Sequence, residues 1–253
     1  GPHPPVGPAT VRYNSNGSFL VALTLDNVDS TCSECLVEIR DGTTCEEGLS
    51  GVGTPHYDGA ANPWTTSNGA YYMSADGAAI TRSAFNVDNG YGPDMNEGKV
   101  AVVTDASGVH IGCGVLMMEE KKKVLRAKMG KYPNYMGDLM VEGGVKVEFY
   151  HDDTFSFVYK IKGLPADCTN CGIHIHQGVS CDTHDEVMGH GWNSLVVRDL
   201  WTKAGGAIYS SDGKGEARGH FNLYNGYGYE ENKGHAVVIH IGDGTRVACG
   251  QLM

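Results

Sequence analysis

Val145-Lys-Val-Glu-Phe-Tyr150 and Phe155-Ser-Phe-Val-Tyr-Lys-Ile161 place apolar residues at every second position, and Gly, Asp and Asn residues bound both runs. A period of two is the signature of a strand with one buried face. His235-Ala-Val-Val-Ile-His240 adds a clustered apolar run of the same length class. With 36 glycines and only 19% charged residues among 253, the chain reads as many short strands joined by tight turns. That composition predicts an all-β antiparallel sandwich or barrel.

Working outward, the chain aligns with itself at an offset of 136. Cys32 falls on Cys168, Cys35 on Cys171, Cys45 on Cys181 and Cys113 on Cys249. Phe19 falls on Phe155 and Asn89-Gly-Tyr-Gly92 on Asn225-Gly-Tyr-Gly228. Only the region near residues 48 to 64 needs a local, self-compensating gap. Such a register of rare residues predicts an internal duplication, with domains at 1–117 and 118–253. The second copy has an extra N-terminal segment, Val124 to Val141, that supplies an additional strand. The first copy opens on a Pro-rich stretch, poor in ladder donors, and is expected to lack a clear first strand. Gly1-Pro2 has the form of a protease-cleavage scar, so the chain is expected to be excised from a longer one, with neighbouring repeats possible as partners.

A net charge of −11 argues against nucleic acid as a partner, because phosphates would repel it. The charge is uneven: residues 1–117 carry 4 Lys+Arg against 13 Asp+Glu, whereas residues 118–253 carry 15 against 17. A basic cluster from Lys121 to Lys131 reads as a solvated strand edge. Eight cysteines, an even number, suit a disulfide-bonded extracellular, secreted or cell-surface protein.

His174 and His176 stand two apart in Cys171-Gly-Ile-His-Ile-His-Gln-Gly178, so strand geometry sends both imidazoles to one face. His190 follows in Gly189-His-Gly-Trp-Asn193, and His240 closes a strand before Gly242-Asp-Gly244. Four imidazoles without a thiolate favour copper or zinc.

These motifs, with Gly234-His-Ala-Val-Val-Ile-His240 and Thr245-Arg-Val-Ala-Cys-Gly250, resemble the Cu/Zn superoxide dismutase family over residues 124–253. The resemblance implies an eight-stranded Greek-key β-barrel, hence two such barrels in tandem. It implies His174, His176, His190 and His240 as copper ligands, and His190 and Arg246 as catalytic residues toward superoxide anion. It also implies a Cys181–Cys249 disulfide, repeated as Cys45–Cys113. Residues 191–206 hold no histidine and one acid, Asp199, and only Ile241 to Thr245 separates His240 from Arg246. Both departures resemble the copper-only superoxide dismutase repeat proteins and imply one copper per chain, no zinc, and an open site. Asp199 is then the candidate to orient His190.

In the first copy Glu38, Arg40 and Thr104 replace three of the ligands, His110 replaces Arg246, and His56 aligns with His190. Glu38 and Arg40 share a strand face and are expected to pair as ions in place of a metal. Asn62 matches Asp199. The Cys32–Cys35 and Cys168–Cys171 spacings fit a local disulfide, a redox motif or half a thiolate metal site, and the structural disulfide is the preferred reading. Three functions follow: extracellular superoxide dismutation by the second copy, copper buffering without turnover, or a structural matrix repeat protein.

Overall fold

Strands built from those alternating runs dominate the computed structural model, which describes residues 3–46, 49–75, 77–117, 123–196 and 198–253. Contacts divide the described chain into two units, one of residues 3–117 with 195, 196 and 198, the other of residues 123–194 and 199–253. Residues 118–122, which include the expected boundary and the start of the basic cluster, lie outside the described residues.

The second unit is one antiparallel sheet of eight strands: β8 (Lys123–Lys131), β9 (Glu142–Phe149), β10 (Phe155–Lys162), β11 (Cys171–Ile175), β12 (Ile208–Tyr209), β13 (Ala217–Leu223), β14 (Ala236–His240) and β15 (Arg246–Gln251), with β1 to β7 reserved for the first unit by chain order. They run in the order β12-β11-β14-β15-β8-β9-β10-β13. The two end strands lie against one another, so the sheet curls into a nearly closed barrel. Register follows the alternation: Phe155 faces Phe149 and Phe157 faces Val147 across β9 and β10. Val145, Val147 and Phe149 are buried on the inner face. Lys146 and Glu148, on the outer face, pair at 2.8 Å. Phe157 stacks on Phe221 with ring centroids 4.9 Å apart. Burying each such side chain contributes about 1.5–3 kcal/mol.

In β8 the inward positions Leu125, Ala127 and Met129 are buried, while Arg126 and Lys128 are exposed. The basic cluster, expected at an edge, is instead the solvated face of a strand paired on both sides, with β15 and with β9. Alternation alone cannot tell an edge strand from a central one.

The first unit repeats seven of these strands: β1 (Ala9–Tyr13), β2 (Phe19–Asp26), β3 (Cys35–Arg40), β4 (Tyr71–Tyr72), β5 (Ile80–Val87), β6 (Val100–Thr104) and β7 (His110–Val115). They form two separate sheets, β1-β2-β5 and β4-β3-β6-β7. By position these match β9-β10-β13 and β12-β11-β14-β15. Among the described residues nothing takes the place of β8, so the sheets stay unjoined. Gly7 (φ +136°) and Gly143 (φ +132°) hold the same left-handed kink at the same repeat position, each with a backbone carbonyl where a Cβ would stand.

All eight cysteines are bonded, as Cys32–Cys35, Cys45–Cys113, Cys168–Cys171 and Cys181–Cys249. The two long bridges each close 68 residues of chain, a cross-link worth roughly 4 kcal/mol in the chain-entropy account.

Candidate metal centre

The centre is built on three strands and one loop of the second unit. β11 carries His174, and His176 follows at its end. His176 pairs with His190 through an isolated antiparallel bridge, which brings the loop against the strand. His240 ends β14 and stands opposite Arg246 of β15, because the turn from Ile241 to Thr245 is closed by Ile241 N–H to Thr245 O at 3.0 Å. Cross-strand pairing therefore brings the fourth imidazole and the guanidinium to one place.

Candidate ligand nitrogens of His174, His176 and His190 all lie within 4.8 Å of one another. His240 Nε2 is 3.4 Å from His176 Nε2. The His174 ring centroid is 4.5 Å from that of His190 and 4.8 Å from that of His240.

Each imidazole spends one nitrogen on an oxygen. His176 Nδ1–H donates to the Met188 carbonyl at 3.0 Å, and His240 Nδ1–H to the Gly244 carbonyl at 3.0 Å. His190 Nδ1–H donates to Asp199 Oδ2 at 2.6 Å. His174 bonds the Ala207 carbonyl, and its buried Nδ1 has no partner. A carbonyl can only accept, so these bonds fix the tautomers. They leave Nε2 of His176, His190 and His240, and Nδ1 of His174, as lone-pair donors. Four such nitrogens fit a copper or zinc ion, since an ion supplies the partner that an orphaned buried nitrogen lacks.

Burial and the three neighbouring imidazoles push His174 down to about 2. Burial pushes His176 down to about 3, with the Arg246 charge adding to the effect, and both also lower His240. All three are therefore neutral at pH 7, the state in which an imidazole binds metal.

Arg246 is held on two sides. Its Nη1 donates to the Tyr132 hydroxyl at 2.9 Å and its Nη2 to the Met188 carbonyl at 2.9 Å. Tyr132 O–H in turn donates to His184 Nδ1 at 3.0 Å. The Met188 carbonyl thus anchors both His176 and Arg246. It is aimed by a backbone at φ 60° and ψ −155°, a conformation that costs a non-glycine residue about 1–3 kcal/mol and recurs at functional sites. Sequence reading singled out neither Met188 nor Tyr132. A backbone carbonyl leaves no trace in residue type, and Tyr132 lies 114 positions from Arg246.

Asp199 performs two tasks, because its Oδ1 also accepts the Trp201 N–H at 2.8 Å. In the first unit Asn62 Oδ1 accepts the Trp64 N–H at 2.9 Å. The matching loop is therefore held the same way, with an amide in place of the carboxylate.

One alignment from sequence needs correction. The bridge that joins His176 to His190 joins Arg40 to Pro55 in the first unit. His56 N–H bonds the Ile39 carbonyl at 2.8 Å where Gly191 N–H bonds that of Ile175 at 2.8 Å. His56 thus takes the place of Gly191, and Pro55 that of His190. The gap near residues 48 to 64 hid this one-residue displacement. His56 Nε2–H donates to the Met95 carbonyl at 3.1 Å, and its ring stacks on Tyr91. Glu38 is bonded to Arg40, whose Nε also donates to the Gly53 carbonyl at 2.9 Å, and His110 Nε2 lies 3.7 Å from Glu38. Among the described residues, the second unit's histidines form the only cluster of three or more potential metal ligands.

No family model matches the chain, and no curated protein matches it in sequence. Among solved structures, Candida albicans superoxide dismutase 5 in its Cu(II) form is 22% identical over 51% of this chain and 90% of its own, with a TM-score of 0.37. An Asp-to-Asn variant of that enzyme is 22% identical over 52% and 92%, with a TM-score of 0.38.

Proposed function

We propose that the second unit is a copper-dependent superoxide dismutase of the copper-only kind, and that the first is a structural or interaction domain without a metal. The carrying observation is that ligand nitrogens of His174, His176 and His190 lie within 4.8 Å of one another and His240 Nε2 lies 3.4 Å from that of His176, while oxygen partners hold the Nδ1 of His176, His190 and His240. Bound copper, by alternating between Cu(II) and Cu(I), supplies the electron exchange that converts two superoxide anions and two protons to oxygen and hydrogen peroxide.

The chain's own residues do the rest. His174, His176, His190 and His240 hold the ion, and neutral nitrogen donors accommodate both oxidation states. Arg246, fixed by Tyr132 and Met188, attracts the anion and orients it by hydrogen bonds. His190 is the proton carrier: Asp199 holds its Nδ1–H, and Nε2, whenever it is not engaged with the ion, would take up the proton and pass it on. Asp199 also takes over the orienting task that zinc performs in zinc-containing members, and residues 191–206 offer no zinc ligand set. Four disulfides fit an extracellular setting.

The test is copper and zinc content measured on the sample whose dismutation rate is recorded. One copper, no zinc and a rate well above that of free copper are expected. Arg246→Ala should keep the copper while losing about tenfold or more in rate at low salt, an effect that salt diminishes. A copper-loaded chain no faster than the free-copper control would make copper buffering the better reading.

A further inference from the structure

Asn16-Gly-Ser18 is the one Asn-X-Ser/Thr sequence in the chain, and the function proposed above makes no use of it. It forms the tip of the hairpin between β1 and β2, where Tyr13 faces Phe19 and Asn14 N–H bonds the Ser18 carbonyl at 2.8 Å. Inside the turn Asn16 Oδ1 accepts from Ser18 N–H at 3.1 Å and from Ser18 Oγ–H at 2.7 Å, and Ser18 Oγ accepts from Asn14 Nδ2 at 2.9 Å. Asn16 and Gly17 are exposed, and nothing lies within 4 Å of where a Gly17 Cβ would stand. Asn16 therefore enters the turn through its oxygen, and its Nδ2 has no hydrogen-bond partner among the described residues.

The second copy shows what the turn itself requires. One repeat later, between β9 and β10, Phe149 faces Phe155 and Tyr150 N–H bonds the Thr154 carbonyl at 2.9 Å. There Asp152 Oδ1 accepts from Thr154 N–H at 3.2 Å and from Thr154 Oγ1–H at 2.7 Å. Gly17 (φ 90°) and Asp153 (φ 62°) hold the same left-handed position. The same hairpin is thus closed by a carboxylate, which can only accept. An amide nitrogen is surplus to this fold, yet the first copy presents one on an exposed tip.

We propose that Asn16 is an N-glycosylation site, whose Nδ2 accepts an oligosaccharide from a lipid diphosphate-linked donor on the secretory route that also forms the disulfides; this rests on the extracellular reading above. In the transfer a bond forms between Nδ2 and C1 of the sugar, and the bond from C1 to the diphosphate oxygen breaks. The lipid diphosphate leaves, Nδ2 gives up one proton, and nothing is oxidised or reduced. By donating to Oδ1, the Ser18 hydroxyl draws charge onto that oxygen and makes the Nδ2 proton easier to lose. The contacts that shape the tip lie within residues 13–19, so it can form before the rest of the unit folds.

The test is to express the full chain behind a secretion signal in a eukaryotic host and to weigh the intact protein and its tryptic peptides. One glycan is expected, on Asn16, released by peptide N-glycosidase with Asn16 recovered as Asp. Ser18→Ala and Asn16→Asp should each abolish it, whereas Ser18→Thr should keep it. Made without glycosylation, Asn16→Asp and the unaltered chain should unfold at the same temperature; a lower midpoint for Asn16→Asp would make the amide part of the turn and overturn the proposal. It is also overturned by an unmodified Asn16 in a chain with all four disulfides formed, or by deamidation as the sole change at Asn16-Gly17. Attachment is read whether or not the chain is released, so a glycosylated chain that the host retains counts against the extracellular reading and supports this one.

Discussion

β3 and β11 are the same strand one repeat apart, yet one carries Glu38 and Arg40 where the other carries His174 and is followed by His176. Around both, the scaffold is held alike. Asn89 Nδ2 donates to the His56 carbonyl at 3.0 Å and to Asn96 at 2.9 Å, and Asn225 Nδ2 donates to the Gly191 carbonyl and to Asn232, both at 2.9 Å. Trp64 and Trp201 are both buried, with Nε1–H donating to those same two carbonyls at 2.9 and 2.8 Å. The loop that brings His190 to the centre is thus fixed by buried amides and an indole, and the first unit keeps that loop without the ligands. Folding of the frame and possession of the histidines are separable. An ion pair, Glu38 with Arg40, satisfies buried polar groups where the other unit presents imidazoles.

The separation is broken most severely by His176→Ala, which should remove copper retention and dismutation together, whereas Glu38→Ala should change neither. Copper content after dialysis and rate per chain decide it. Asp199→Asn reproduces the Asn62 arrangement. It should keep the Trp201 cap, with copper held by the other three histidines, yet lower the rate about 10- to 100-fold, because with Oδ1 on the Trp201 N–H the amide turns its NH2, a donor, toward His190 Nδ1 and can no longer accept the Nδ1–H. An unchanged rate would remove Asp199 from the proposed mechanism.

Tyr132→Phe frees one side of Arg246 while leaving the ligands alone. Its expected effect is a loss of about two- to fivefold in rate at low salt, smaller than that of Arg246→Ala, with copper content unchanged. A loss of copper would instead mark Tyr132 as part of the frame.

The smallest contrast is in pH. In metal-free protein His174 and His176 are held neutral when folded, at about 2 and about 3, but take up protons near 6.5 when unfolded. The unfolded state therefore binds more protons below pH 6.5, and stability present above that pH is lost as pH falls toward the folded values. The slope is about 1.4 kcal/mol per pH unit for each such histidine. Denaturant midpoints between pH 6.5 and 5 should fall for the second unit, and His176→Gln should make that fall shallower. A midpoint independent of pH in that window would contradict the burial of neutral imidazoles.

Much of this is legible in the sequence alone. Alternation in residues 145–161 reports strands because side chains on a pleat point to opposite faces, and His174 with His176 share a face for the same reason. The offset of 136 paired the cysteines and exposed the replacement of ligands in the first copy. Asp199 was legible as the one acid in a segment without histidine.

Other features are set by contacts between residues distant in sequence, which no local pattern encodes. The joining of β8 to both β15 and β9 made a central strand of what alternation could equally assign to an edge. The exchange of Pro55 for His190 depends on a bridge to Arg40, and a gapped alignment cannot fix a bridge to the residue. The Met188 carbonyl, aimed by an unfavourable backbone angle at both His176 and Arg246, has no side-chain signature. Periodicity and residue type fix which face a side chain takes and what chemistry it offers. Which nitrogen is left free, and what stands beside it, is decided by hydrogen bonds that close only when the barrel does.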